Sequence, residues 1–219
     1  MGAAPSTRRR SALLFGLRTE SIASGREISR SFSPKNDSPE PKMPELLNGV
    51  VLRRIRYADT SLILVWFTDL HGKTKTIAKG ALRANSPFAG KIDLFFHCEL
   101  LLTLSRKSEI HALREVSIKS PFAGIRTNYL KTLAASYFVE LIEGVSELEH
   151  PAPELYRLLL RALAYIDRQK PDIRGVLFFE SELCKCLGLY TPDMHSAADK
   201  LFEACGQVPK TRAGLMSQL

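Results

Sequence analysis

Apolar positions recur with the period of β-strands between residues 46 and 118, and with the period of helices beyond Pro121. Val50-Val51-Leu52 opens the first strand, which runs to near Tyr57-Ala58-Asp59. Leu62-Ile63-Leu64-Val65-Trp66-Phe67 is continuously apolar and β-branched or aromatic, which predicts a strand covered on both faces. Asp69-Leu70-His71-Gly72 predicts a hairpin turn. Lys73-Thr74-Lys75-Thr76-Ile77-Ala78-Lys79 then alternates, placing Lys73, Lys75 and Lys79 on one face. A loop with Gly80, Pro87 and Gly90 leads to Leu94-Phe95-Phe96 and Glu99-Leu100-Leu101-Leu102, and Ile110 to Ile118 closes the set. Five strands, with the longest loop between the third and fourth, predict a small closed barrel of the OB type. A short sandwich or an SH3-like barrel would give nearly the same pattern.

The helical half contains three apolar stripes. Leu130, Leu133, Ala134, Tyr137, Phe138 and Leu141 form the first, with Asn128 as its cap. Leu155, Leu158, Leu159, Ala162, Leu163 and Ile166 form the second, entered through Pro151 and Pro153 and followed by Pro171. Val176, Phe179, Leu183 and Leu187 form the third, which Gly188 ends. A weaker helical stretch covers 196–204. The fold class is therefore α+β, all-β then all-α: an N-terminal five-stranded OB-fold barrel over 43–120, followed by a small helical domain over 121–219.

Residues 1–42 lack such periodicity. Arg8-Arg9-Arg10, frequent serines and Pro34, Pro39 and Pro41 predict a disordered extension. The Arg- and Ser-rich start also suits an organellar presequence, and Met1-Gly2-Ala3-Ala4-Pro5-Ser6 fits the bare myristoylation pattern. A start at Met43 is the favoured reading, because ordered patterning begins at once after it.

Composition adds exclusions. The chain has 219 residues, 45% hydrophobic and 25% charged, an ordinary globular balance. No apolar run approaches the roughly 18 to 20 residues that span a bilayer. Four irregularly spaced cysteines do not form a disulfide framework, which points to a reducing, intracellular compartment. Cys184 and Cys186 stand two apart on one helix and point in nearly opposite directions; with Cys205 and His195 they make a poor metal set, so zinc is not expected. No phosphate-binding glycine loop, nucleophile elbow or paired acidic cluster occurs, so no enzymatic activity is expected.

Charge carries the strongest functional signal. Net charge is +8; residues 1–42 contribute +4, 43–120 contribute +5 and 121–219 contribute −1. The barrel half is thus the side expected to meet a polyanion. Arg53, Arg54 and Arg56 on the first strand, Lys73, Lys75 and Lys79 on the third, and Arg83 and Lys91 in the next loop outline a basic groove. Tyr57 and Phe88, flanked by turn residues, offer stacking faces, whereas Trp66 belongs to the core.

The same residues carry a resemblance. Gly49-Val50-Val51-Leu52, Asp59-Thr60-Ser61-Leu62-Ile63, Phe67-Thr68-Asp69-Leu70-His71-Gly72-Lys73 and Ala78-Lys79-Gly80-Ala81 follow one another as in the RecO family of DNA-repair proteins. Pro87-Phe88-Ala89-Gly90, Leu113-Arg114-Glu115, Glu140-Leu141, Leu187-Gly188-Leu189-Tyr190-Thr191-Pro192 and Cys205-Gly206 continue it, so the chain resembles that family from about 43 to 206. The resemblance implies a recombination mediator that binds single- and double-stranded DNA and anneals complementary strands. It implies action with RecR to load the recombinase RecA onto strands coated by single-strand-binding protein, in the bacterial cytoplasm at the nucleoid. It implies no nucleotide hydrolysis and no membrane partner. Many relatives carry a four-cysteine zinc module, of which only Cys205 fits a position here. Two rivals remain on composition and pattern: an OB-fold RNA-binding module, and a structural adaptor acting through the helical domain.

Overall fold

A computed structural model describes residues 44–194 and 196–219; the expected extension over 1–42 and the candidate ligand His195 lie outside the described residues. Five strands, β1 (Pro44–Ala58), β2 (Ser61–Thr68), β3 (Gly72–Ala78), β4 (His97–Thr103) and β5 (Ile110–Ser120), close into a barrel in the order β1-β2-β3-β5-β4. The sandwich alternative is thereby excluded, and the all-β then all-α division holds.

The unbroken apolar run of β2 has a simple cause. Leu62, Leu64 and Trp66 point into the barrel with Leu47, Val51, Leu100 and Leu102. Val65 and Phe67 point outward and join Val50 and Leu52 under the helices. Both faces are covered, one by the barrel and one by the helical half. Trp66 is fully buried, and its indole donates to Thr76 Oγ1 at 2.8 Å, so its polar edge is satisfied inside the core. β3 alternates as expected, with Thr74, Thr76 and Ala78 buried and Lys73, Lys75 and Ile77 on the outer side.

Two elements depart from the sequence reading. β1 begins at Pro44, well before Val50, because its first half pairs with β4 and its second half with β2. Leu94-Phe95-Phe96 is not a strand. Phe95 has φ 69°, its amide donates to the Val51 carbonyl, and Val51 in turn donates to Phe96, so the segment folds over β1 where a bulge at Leu52 interrupts pairing.

The helical half contains α1 (Tyr129–Val145), α2 (Pro153–Arg168), α3 (Ile173–Cys186), α4 (Ala197–Cys205) and a short α5 (Arg212–Met216) that the apolar pattern does not announce. Asn128 caps α1 by accepting from the amides of Leu130 and Lys131. α1 is the central helix. Its buried set, Ala134, Ala135, Tyr137, Phe138, Val139, Leu141 and Ile142, exceeds one stripe because the barrel covers one side and the other helices the rest. Phe138 stacks on Phe179 of α3 with centroids 3.9 Å apart. Glu180 of α3 is 1% exposed and accepts from Tyr137 Oη at 2.5 Å, with Arg212 of α5 beyond at 3.9 Å. Burial pushes the Glu180 carboxyl above the ordinary carboxylate range.

β5 pairs with β3 only from Lys75 to Ile77, so the start of β3 is paired with β2 on one edge and has no strand on the other. The α1–α2 loop fills that edge: Glu149 donates its amide to the Lys73 carbonyl at 2.8 Å, and Glu149 Oε1 lies 2.6 Å from His111 Nε2. Because His111 Nδ1 accepts from the Ser105 amide, Nε2 carries the proton toward Glu149.

His97 of β4 meets Tyr156 of α2 at 3.0 Å, again between barrel and helices. Burial lowers its pKa, Lys119 lowers it further, and Asp69 opposes them. A folded-state value below the unfolded one means that the unfolded chain binds the proton more readily. Stability from this site is therefore complete above about pH 6.5 and lost as pH falls from there through the folded value, with a slope of at most about 1.4 kcal/mol per pH unit. Thermal unfolding of wild-type and His97→Gln protein between about pH 7.5 and 5 should show the wild-type curve falling more steeply. Equal slopes would remove His97 as the cause. Glu180 acts with the opposite sign in both proteins and cancels in the comparison.

Candidate nucleic-acid interface

The barrel cations separate into two groups. In the first, each charge meets an acceptor from another element. Arg53, opposite Val65 on the outer face, places Nη2 3.2 Å from Glu143 Oε1 of α1. Lys73 donates to the Glu143 carbonyl oxygen at 2.8 Å. Lys75 lies 3.3 Å from Glu109, and Arg54 lies 2.6 Å from Asp93, which also takes Arg126 at 3.2 Å. Burial raises the Asp93 carboxyl, but the Leu94 amide, Arg54 and Arg126 outweigh it and hold the group below its ordinary value. The acids come from α1 and from the β3–β4 and β4–β5 loops, so their approach to these cations is not readable in the strand sequences.

Arg56, Lys79, Arg83 and Lys91 form the second group. All four are exposed, and none of their side chains has a hydrogen-bond or ion-pair partner among the described residues. Local structure gathers the first three. Leu82 donates to the Thr60 carbonyl at 2.9 Å and Gly80 to Ser61 Oγ at 3.4 Å, tying the β3–β4 loop to the β1–β2 hairpin. Arg56 stands opposite Leu62, Leu62 opposite Ala78, and Lys79 follows Ala78 directly. Arg83 packs its side chain across Gly80. Tyr57 is 62% exposed there, and a shallow depression of about 310 Å³ runs along Arg56, Tyr57 and Asp59. This rim combines unneutralised cations with an aromatic face, the elements from which single-strand grooves are built.

Two expectations need correction. Phe88 is 7% exposed and packs with Ile92 in the barrel core, so it is a plug of the barrel end and not a stacking face. Its turn neighbours are exposed because the loop folds back, carrying Phe88 inward. Lys79 lies one residue past the end of β3, so the shared strand face is that of Lys73 and Lys75 alone.

Sequence reasoning also missed a basic face on the helical half. Arg157, Arg161 and Arg168 of α2 and Arg174 of α3 are exposed with no partner among the described residues. Tyr165 and Phe178, 46% and 63% exposed, lie among them. A groove of about 440 Å³ between α2 and α3 is lined by Arg161, Tyr165, Arg174 and Phe178. The net charge of −1 concealed this face because acids elsewhere offset it in the sum: Glu180 is buried and Asp167 accepts from the Gly124 amide, while Asp172, which caps α3, lines the same groove. The cysteines are structural in their surroundings. Cys184 is buried facing the Ala197 carbonyl, and Cys205 packs beneath Gly144 of α1. Among the described residues no three His, Cys, Asp or Glu side chains gather as metal ligands.

The comparisons with known proteins divide the chain where the barrel meets the helices. The family model described as Recombination protein O N terminal matches residues 43–122, the barrel. The one described as Recombination protein O C terminal matches 126–201, the helices through most of α4. A DNA repair protein RecO from Desulfatibacillum aliphaticivorans is 33% identical over 130 residues, 59% of this chain and 50% of the relative. Its counterpart in Syntrophus aciditrophicus is 31% identical over 144 residues, 66% and 55% of the two chains. That of Rhodopirellula baltica is 28% identical over 159 residues, 73% and 57%. The chain thus spans little more than half the length of these curated relatives.

Proposed function

The chain belongs to the RecO family of DNA repair proteins, and on that premise we propose that it is a non-enzymatic recombination mediator. It binds single- and double-stranded DNA, anneals complementary strands, and acts with RecR to load RecA onto strands held by single-strand-binding protein, at the nucleoid in the bacterial cytoplasm. The observation that carries the DNA reading is the rim where Arg56, Lys79 and Arg83 lack acidic partners among the described residues beside the exposed ring of Tyr57. Cations left unneutralised by the protein contribute affinity through counterion release when they meet phosphates. Annealing needs no bond to be made or broken, in keeping with a sequence that carries no phosphate-binding glycine loop. No helix among the described residues is long and apolar enough to cross a membrane. The groove between α2 and α3 favours a protein contact on the helical half in addition to DNA on the barrel, since apolar walls between arginines suit a peptide segment.

An annealing assay with labelled complementary oligonucleotides tests the proposal. Duplex formation should be faster than the spontaneous rate, indifferent to ATP, and suppressed by salt. Unchanged annealing, with tight salt-dependent binding of RNA instead, would replace this reading with the RNA-binding one.

A further inference from the structure

Between the barrel and α1 lies a cleft of about 550 Å³ lined by Arg53 of β1, Lys73 of β3, Glu140 and Glu143 of α1, and Lys210 after α4. Its charges are unevenly spent. Glu140 is committed to the following turn, accepting from the Thr211 amide at 3.2 Å and from its hydroxyl at 2.9 Å. Lys210 has no partner among the described residues. The Lys73 ammonium meets a backbone carbonyl dipole, not a carboxylate oxygen. Burial lowers its pKa; Glu143 works against that shift, while Lys75 and Arg53 add to it. The one carboxylate in direct contact with these cations is that of Glu143, 3.2 Å from Arg53, while Glu147 acts on Lys73 at longer range. Of the three cations lining the cleft, Arg53 alone has a carboxylate in direct contact, and they stand at the edge of a face that also carries Lys75, itself paired with Glu109.

We propose that this cleft is a phosphodiester subsite and that the Glu143 carboxylate occupies the place of the phosphate, masking Arg53 beside Lys73 until a nucleic-acid strand displaces it. The inference rests on the DNA-binding reading and deepens it. A phosphodiester shares its one negative charge over two non-bridging oxygens, which can reach the Arg53 guanidinium and the Lys73 ammonium together, whereas the Glu143 side chain meets Arg53 alone. The cleft holds enough space for it, and the Arg53 side chain is 58% exposed, so the strand arrives from solvent without parting the two halves. Glu143 then weakens DNA binding in the resting protein and keeps Arg53, beside the partly buried Lys73, from standing uncompensated.

The full chain carrying Glu143→Gln tests this, because the proposal requires a gain. Titrated with labelled oligo-dT at about 0.1 M salt, the variant should bind roughly five-fold more tightly, with log K against log salt steeper by about 0.7, the value of one added single-strand phosphate contact. Adding Lys73→Gln should return both quantities to or below wild type. Glu182→Gln, which removes an acid of the same charge on α3, should give no comparable gain. Unchanged or weaker binding by a folded Glu143→Gln protein, or an equal gain from Glu182→Gln, would overturn the subsite. Calorimetric titration with inorganic pyrophosphate separates the subsite from the DNA reading and serves if Glu143→Gln fails to fold. Binding by wild type that Lys73→Gln abolishes supports the subsite even if oligo-dT does not bind. No pyrophosphate binding, or binding indifferent to Lys73, counts against it.

Discussion

Gly72→Ala should lower stability by about 2 to 4 kcal/mol, which for a folded body of this size moves Tm by roughly 5 to 15 °C. Two costs add. Gly72 has φ 62°, a left-handed conformation that costs an alanine about 1 to 2 kcal/mol. A Cβ built there would stand 1.9 Å from the His150 carbonyl oxygen, and since that atom is backbone the whole α1–α2 loop must move. Moving the loop breaks the Glu149 amide bond to Lys73 and the Glu149–His111 pair, uncovering the start of β3. Gly90→Ala is the internal reference. Its φ is 71°, but nothing lies within 4 Å of its Cβ position, so it carries the conformational cost alone. Thermal unfolding of the two variants side by side decides the matter. If Gly72→Ala were no worse than Gly90→Ala, the loop would not be seated against β3 as described.

That contact also marks what a sequence can and cannot disclose. The Asp69–Gly72 turn is readable because a hairpin needs glycine for local reasons, and the local reason holds: Asp69 accepts from the Asn48 amide and side chain while Gly72 turns the chain. The second reason, the approach of His150 from 78 positions away, leaves no mark on the pattern near Gly72. β2 was legible in full because burial on both faces writes itself as an unbroken apolar run. α1 was legible as a helix but not as the central one, since its extra buried positions, Ala135, Val139 and Ile142, look like ordinary helix residues until the barrel is set against them. α5 is only five residues long, too short for a periodic signal.

The candidate site was legible in kind and not in detail. A count of basic residues points to the barrel half, but free charge depends on where the acids stand, and acids distant in sequence neutralise three of the eight: Glu143 on Arg53, Asp93 on Arg54 and Glu109 on Lys75. Phe88 illustrates the same limit for aromatics. Flanking turn residues predict an exposed loop, and the loop is exposed, yet the ring turns inward to close the barrel. The helical arginines were hidden by a near-neutral sum, because the acids that offset them stand largely at other places in the fold, Glu180 buried among them.

The unneutralised cations lead to the largest functional effect. Arg56, Lys79 and Arg83, changed together to Gln, should flatten log K against log salt for single-stranded DNA by about 2, at roughly 0.7 per lost phosphate contact. At about 0.1 M salt the same loss corresponds to affinity lower by roughly two orders of magnitude, alike for every sequence because phosphates carry no base identity. Stability should change by no more than about 0.5 kcal/mol per site, since none of the three side chains makes a hydrogen bond or ion pair among the described residues. Lys119→Gln and Lys185→Gln are the matched controls: each lysine already faces an acid, Glu99 and Glu182, and its loss should leave the slope nearly unchanged. Tyr57→Ala separates the other half of the rim. Its stacking contribution, about 1 to 3 kcal/mol for one base, should disappear without altering the salt slope. A folded triple variant with the wild-type slope would move the DNA site away from this end of the barrel, and the arginines of α2 and α3 would be the next place to look.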